Sequence, residues 1–401
     1  MSLTSFDVAE KFKKASAELG ITDYPEELDI FAKSKYSQKF DPADTSTVLM
    51  LQKEENFFGN YCDLVLDAAN QLTKHPDAHL WAKIVSEYIY GASCEKARNV
   101  KIPDPDGSLL FDMLPLLILI PSMVEMRRIM AERGFDEDII SENMGIFHRC
   151  IGATAQKIGR PALDRHYFKW TILFLKGMIF PMDGFKFEIK KLSKSAIYLE
   201  NIQSGELVPL INNKTVHASG AILGSAGFED ESGSFLAQIE ENDRYFSGYT
   251  AQNGKVIPEI CKFSKDEWRI FASPGDCAIS IHIPKGTDIS DEAVSKAVAN
   301  AKNFVRKHYP ELSPVCIVCH SWLLDPTLAN ILGQESKIVK FGCRFTRIPV
   351  KSAGREVFSF VFPPQIQNLE DLPENTRLER GLKALYLQGG FVHAYEGIFK
   401  L

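Results

Sequence analysis

Hydrophobic spacing changes once along the chain, near residue 183. Up to there the apolar residues recur at three and four positions. Between Asn60 and Lys74 they are Tyr61, Leu64, Val65, Ala68, Ala69 and Leu72, the stripe of an amphipathic helix, and Leu80–Tyr90 repeats it. Longer helices are expected over Leu109–Arg133, Asp136–Lys157 and Ala162–Phe180, with Gly134 and Gly159-Arg160-Pro161 as stop and start signals. From Phe185 the period falls to two, through Phe185, Phe187 and Ile189 and then Ile197 and Leu199. Asn253-Gly254, between two apolar runs, predicts a tight hairpin because both residues tolerate positive φ. Ser264-Lys-Asp-Glu267 reads as a capping box opening a short helix through Trp268.

Beyond this hairpin the order is strand, helix, strand, helix, strand, strand. The strands are expected at Cys277–Ile283, Val315–Trp322, Ile338–Ile348 and Val357–Phe362, and the longer helix at Ile289–Tyr309. Asp325-Pro326 starts a short helix ending at Gly333. Thr376-Arg-Leu-Glu379 is a second capping box, whose helix stops at Gly389-Gly390. The fold class expected is α+β, with a helical domain over 1–182 and a mixed-sheet domain with flanking helices over 183–401.

The octapeptide Val315–Trp322, VCIVCHSW, holds the Cys-x-x-Cys-His spacing of a dithiol or haem-attachment site. Its β-branched residues favour a strand, and strand side chains alternate. Cys316 and Cys319 then point in opposite directions, so they neither share a metal nor close a disulfide. No metal and no haem are expected. The strand Cys277–Ile283 has one wholly apolar face, while Ala278, Ser280 and His282 form the other. Small residues beside an imidazole fit either a packed helix over a satisfied core histidine or a ligand channel holding a base.

Composition narrows the function classes. Net charge is −6 with no long basic run, so no phosphate-binding footprint is expected and no nucleic-acid partner. The apolar run Met113–Val124 is short and broken by Pro115 and Pro121, which predicts a buried helix and no membrane span. The eight scattered cysteines and the polar N-terminal pattern read as reduced thiols in a cytoplasmic protein. His75 and His79 are four apart, but Pro76 places His75 outside the helix.

Strand, turn, helix, parallel strand, short helix and two antiparallel strands resemble the back half of the GNAT acyltransferase fold. GDCAISIHIPKG (Gly275–Gly286), CHSWLLDPTLANIL (Cys319–Leu332) and LPENTRLERGLKALYLQGG (Leu372–Gly390) resemble a bacterial acyltransferase family. That family pairs a helical, N-acyltransferase-like N-terminal domain with a GNAT-like C-terminal domain. ILFLKGMIFPMDGFKFEI (Ile172–Ile189) is similar to its domain junction. The resemblance implies transfer of an acyl group from acyl-CoA, or another acyl-thioester, to a small-molecule or peptide amine. It also implies that the pantetheine arm enters between Cys277–Ile283 and Val315–Trp322. His282 is then the first choice for general base and His320 the second, with Ile283, Pro284, Lys285, Gly286, Ser321 and Trp322 lining the cosubstrate. Two departures stand against this. The loop after the first central strand has one glycine and one basic residue, Lys285, with Asp288, Asp291 and Glu292 crowding the helix start. The tyrosine that GNAT enzymes use as general acid has no counterpart between Pro326 and Leu332, which leaves Tyr386 and Tyr395 as later candidates. The alternative is a binding or scaffold module that keeps the fold without the chemistry.

Overall fold

The computed structural model describes residues 5–34, 36–363, 366 and 368–401. The chain divides into two compact units, Met1–Pro181 and Met182–Leu401.

The first unit is built of helices, among them Ser5–Glu18, Cys62–Leu72, Pro76–Gly91 and Arg165–Leu175. Two of the long helices expected here are broken. Leu109–Leu117 stops and Ile120–Glu132 restarts, because Pro121 suits the first turn of a new helix. Glu137–Met144 and Ile146–Ile158 are separated by Gly145. The helix expected from Ala162 begins at Arg165, where Asp164 caps it by accepting from the Tyr167 amide at 2.9 Å. The segment Leu109–Glu132 is long and apolar enough to cross a bilayer, and 78% of its most apolar window is buried inside the protein. His75 lies just ahead of its helix, as Pro76 dictates, and the His79 ring meets Asp41 at 2.6 Å. No cluster of metal-ligating side chains is present among the described residues.

Within the second unit, one sheet runs in the order Phe185–Lys191, Cys277–His282, Cys316–Ser321, Tyr395–Lys400, Thr346–Pro349. Asp183 and Gly184, both at positive φ, turn the chain into Phe185–Lys191. The helix Asp291–His308, capped by Ser290, carries the chain from the first central strand, Cys277–His282, to the parallel second one, Cys316–Ser321. A second sheet contains Trp268–Ala272, Ala196–Asn201, Leu207–Ile211, Tyr245–Gln252 and Glu240–Glu241, with Lys255–Ser264 pairing at Tyr245–Gln252. The two sheets share a core. Ala278, Cys316, Val318, Ile348 and Ile398 of the first meet Tyr198, Ile211, Val256 and Ala272 of the second. Asn253 and Gly254 form the expected hairpin turn, with φ of 49° and 77°.

Three expected elements fold differently. Ser264–Glu267 is a turn between strands. Ser264 Oγ accepts from the Asp266 amide, and Trp268 packs edge-to-face on Phe263 at 5.0 Å, which a strand continuation permits. The run Ile338–Ile348 is a helix, Lys337–Cys343, followed by the short strand Thr346–Pro349. Val357–Phe362 is a helical turn, Phe358–Val361. Helical spacing lets Phe358 reach both Phe362, at 5.2 Å, and Tyr386, at 4.7 Å. Val339, Val357 and Phe362 all enter one cluster with Trp322, Leu328, Leu382 and Tyr386, so tertiary packing overrides β propensity. The helix expected from Asp325 begins at Leu328 and ends before Gly333, whereas the Thr376–Glu379 capping box is present in full.

Candidate active site

The two central strands run side by side only at their start. Their ladder consists of Ile279 with Ile317 and Ser280 with Val318. On their outer sides both strands stay paired to the end. Cys277–His282 matches Lys191–Lys186 residue for residue, and Cys316–Ser321 matches Lys400–Tyr395. Beyond Ser280 and Val318 the ladder between the two strands is open, while each strand stays held by its outer neighbour. This is the C-terminal end of parallel strands, where open α/β sheets bind ligands.

Extending the register places His282 level with His320 across the gap. Alternation puts both on the face that carries Ala278, Ser280, Cys316 and Val318. The sequence brought neither strand's outer partner into view, and that is where the structure adds most. Glu188 sits opposite Ser280 on the neighbouring strand, 6% exposed, and its Oε2 is 2.9 Å from His282 Nε2. The His282 side chain is 34% exposed, so it has one side in protein and one toward solvent. Glu188 was hidden because its neighbours alternate: Phe185, Phe187 and Ile189 mark the core face, while Lys186, Glu188 and Lys190 read as a solvated edge.

His320 is exposed to solvent on one side. The protein around the strand end still disfavours its charged form, and its pKa is lowered; Glu396 opposes that shift and Lys190 reinforces it. Glu396 is the cross-strand partner of His320, is 7% exposed, and accepts from Ser193 Oγ at 2.6 Å. Each histidine thus has a buried carboxylate on the strand outside it.

The remaining sequence candidates divide. Ile283, Pro284, Lys285 and Gly286 form the turn leaving the first central strand, with Gly286 at φ 87° and Lys285 exposed. Ser321 Oγ accepts from the Leu323 amide at 3.1 Å and caps the turn that ends the second strand. Trp322 is 8% exposed, inside the cluster with Tyr386. The acidic helix start is partly neutralised. Lys337 reaches Asp288 at 2.9 Å and holds that carboxyl below its usual range, while Arg344 lies 3.3 Å from Asp291. Arg347 donates to the Leu324 carbonyl at 2.8 Å.

Both thiols of VCIVCHSW are buried on opposite faces, and burial pushes each up to about 12. Neither is ionised near neutrality, as a redox or metal-binding thiol must be. The later tyrosines are engaged elsewhere in the fold. Tyr386 OH donates to the Gly354 carbonyl at 2.6 Å within the Trp322 cluster, and burial pushes it up to about 12. Tyr395 pairs with Ser321 and so shares its face, opposite to that of His320; burial raises its pKa.

Solved structures resemble the chain over nearly its whole length. One is an acyltransferase in complex with decanoyl-CoA and teicoplanin, at 17% identity and TM-score 0.62, covering 97% of this chain and 99% of that one. A second is an acyltransferase in complex with CoA and 10C-teicoplanin, at 16% identity and TM-score 0.62, with coverages of 97% and 99%. At such identities the likeness establishes the fold. No curated protein matches the chain. The description "GNAT-like C-terminal domain" matches residues 187–399, more than half of the 401 residues, and those residues hold both central strands, both histidines and Glu188. The chain belongs to the GNAT-like C-terminal domain family, with a helical N-terminal domain ahead of the matched one.

Proposed function

We propose that the protein transfers an acyl group from acyl-CoA to a primary amine. The observation that carries this reading is the ladder that stops at Ser280 and Val318. In this reading the strands part beyond it and leave room for a pantetheine arm, whose own amides can pair with the freed backbone groups. The related structures, captured with decanoyl-CoA, CoA and teicoplanin, support both the cosubstrate and a small-molecule or peptide acceptor.

In this reading the acyl thioester sits at the mouth of the gap, beside His282. Glu188 Oε2, 2.9 Å from His282 Nε2, orients the imidazole so that the ring receives the proton of the acceptor. The acceptor amine attacks the thioester carbonyl, and its N–H proton passes to the His282 imidazole. The C–S bond then breaks, and the imidazolium returns the proton to the departing sulfur. The products are an amide and CoA thiol. His320, level with His282 and disfavoured as a cation, serves as a neutral contact to the substrate. The Ile283–Gly286 turn and the start of the following helix receive the CoA pyrophosphate. Pairing of Asp288 and Asp291 with Lys337 and Arg344 lessens the repulsion there.

Isothermal titration with acetyl-CoA and decanoyl-CoA tests the reading. One-to-one binding is expected, and His282→Ala is expected to keep that binding while lowering CoA release by about a hundredfold or more. Failure of every acyl-CoA to bind overturns it.

A further inference from the structure

The second sheet of the C-terminal unit holds a groove that acyl transfer does not use. Its volume is about 840 Å³, within the roughly 300–1,000 Å³ of small-molecule sites. It is built where Tyr245–Gln252 and Lys255–Ser264 lose register between Tyr249 and Ala251, an irregularity of the kind that re-aims side chains beside binding sites. The groove lies against Thr346 and Arg347, on the edge strand of the first sheet. That edge is two strands from the second central strand, about 10 Å at ordinary strand spacing.

Thr250 lines the groove, is 5% exposed, and its Oγ1 has no hydrogen-bond partner among the described residues. A buried hydroxyl left unpaired is costly, so it marks a place where a polar ligand atom completes the structure. The Phe263–Trp268 edge-to-face pair and Phe345 supply an apolar wall. The charged lining is Lys262 and Arg347 against Glu206, an excess of one positive charge. A guanidinium has five N–H donors, and the Leu324 carbonyl takes one of those of Arg347.

From the orphaned Thr250 hydroxyl, the aromatic wall and the positive excess, we infer that this groove is a second ligand site, for a small aromatic or aliphatic carboxylate. The carboxylate lies between Arg347 and Lys262, its body rests on the aromatic wall, and a ligand oxygen accepts a hydrogen bond from the Thr250 hydroxyl. The site stands whether or not the protein transfers acyl groups.

The test is titration calorimetry with naphthalene-2-carboxylate as probe and naphthalene-2-carboxamide as its neutral counterpart. The carboxylate is expected to bind one-to-one and at least tenfold more tightly than the amide. Arg347→Met and the exposed Lys262→Met are each expected to weaken it severalfold or more. Thr250→Val is expected to raise the melting temperature, because it removes an unpaired hydroxyl, and to weaken binding. Cys343 is exposed and lines the groove, so the probe is expected to slow its alkylation. Decanoyl-CoA affinity is expected to stay unchanged in these variants. Absence of saturable binding, equal affinity for acid and amide, or affinity indifferent to Arg347, Lys262 and Thr250 overturns the inference. Unchanged alkylation of Cys343 at saturating probe also overturns it.

Discussion

Glu188 acts, in this account, only through His282, and that can be measured. The contact is a carboxylate 2.9 Å from an imidazole nitrogen, with the carboxylate 6% exposed and fixed in an antiparallel ladder. Hydrogen bonds to charged groups contribute about 1.5–3 kcal/mol, and about 1.4 kcal/mol is a factor of ten in rate. Glu188→Ala is therefore expected to lower kcat for CoA release from decanoyl-CoA, with a primary amine as acceptor, by about 10- to 100-fold. Loss of a general base itself costs about 10²–10⁴. Because the carboxylate positions the base, the double variant is expected to be no slower than His282→Ala alone. Glu188→Gln keeps the volume and the contact but not the charge, and should fall between wild type and Glu188→Ala. Melting temperatures of all five proteins separate loss of fold from loss of catalysis. Wild-type kcat in Glu188→Ala, or multiplying losses in the double variant, refutes the coupling.

Other expectations concern stability. Because desolvation lowers the His320 pKa below its ordinary 6.5, the unfolded chain binds the proton more readily. Stability is then lost as pH falls through that value, and His320→Gln should show a shallower loss between pH 7 and pH 5 in urea unfolding. An added Cβ at Gly381 would collide with Ile331 Cγ2. Ile331 is stiff at its branched Cβ, so Gly381→Ala should destabilise by about 1–2 kcal/mol despite its better helix propensity. Thr376→Ala removes half of the capping box over Arg377–Leu387 and should cost about 1 kcal/mol, read from the midpoint of urea unfolding.

Much of the C-terminal framework was legible because its signals are local. Asn253-Gly254 turns as positive φ requires, Thr376 caps its helix, and the alternation in VCIVCHSW separates its thiols. What stayed hidden depends on distant partners. Ile338–Ile348 and Val357–Phe362 look like strands until the cluster around Trp322 and Tyr386 claims one side of each as a helix. His282 and His320 were readable as a pair once two strands were taken as parallel. The carboxylates beside them were not, since Glu188 lies 94 residues before His282 and Glu396 lies in the last strand. Only the sheet order joins them.

The central claim is that acyl-CoA occupies the gap opening after Ser280 and Val318. Hydrogen–deuterium exchange with and without decanoyl-CoA tests it at the backbone. Slower exchange, saturating at one ligand per chain, is expected in peptides over residues 279–283 and 317–322. Tight binding that leaves both peptides unprotected, or no binding at all, contradicts it.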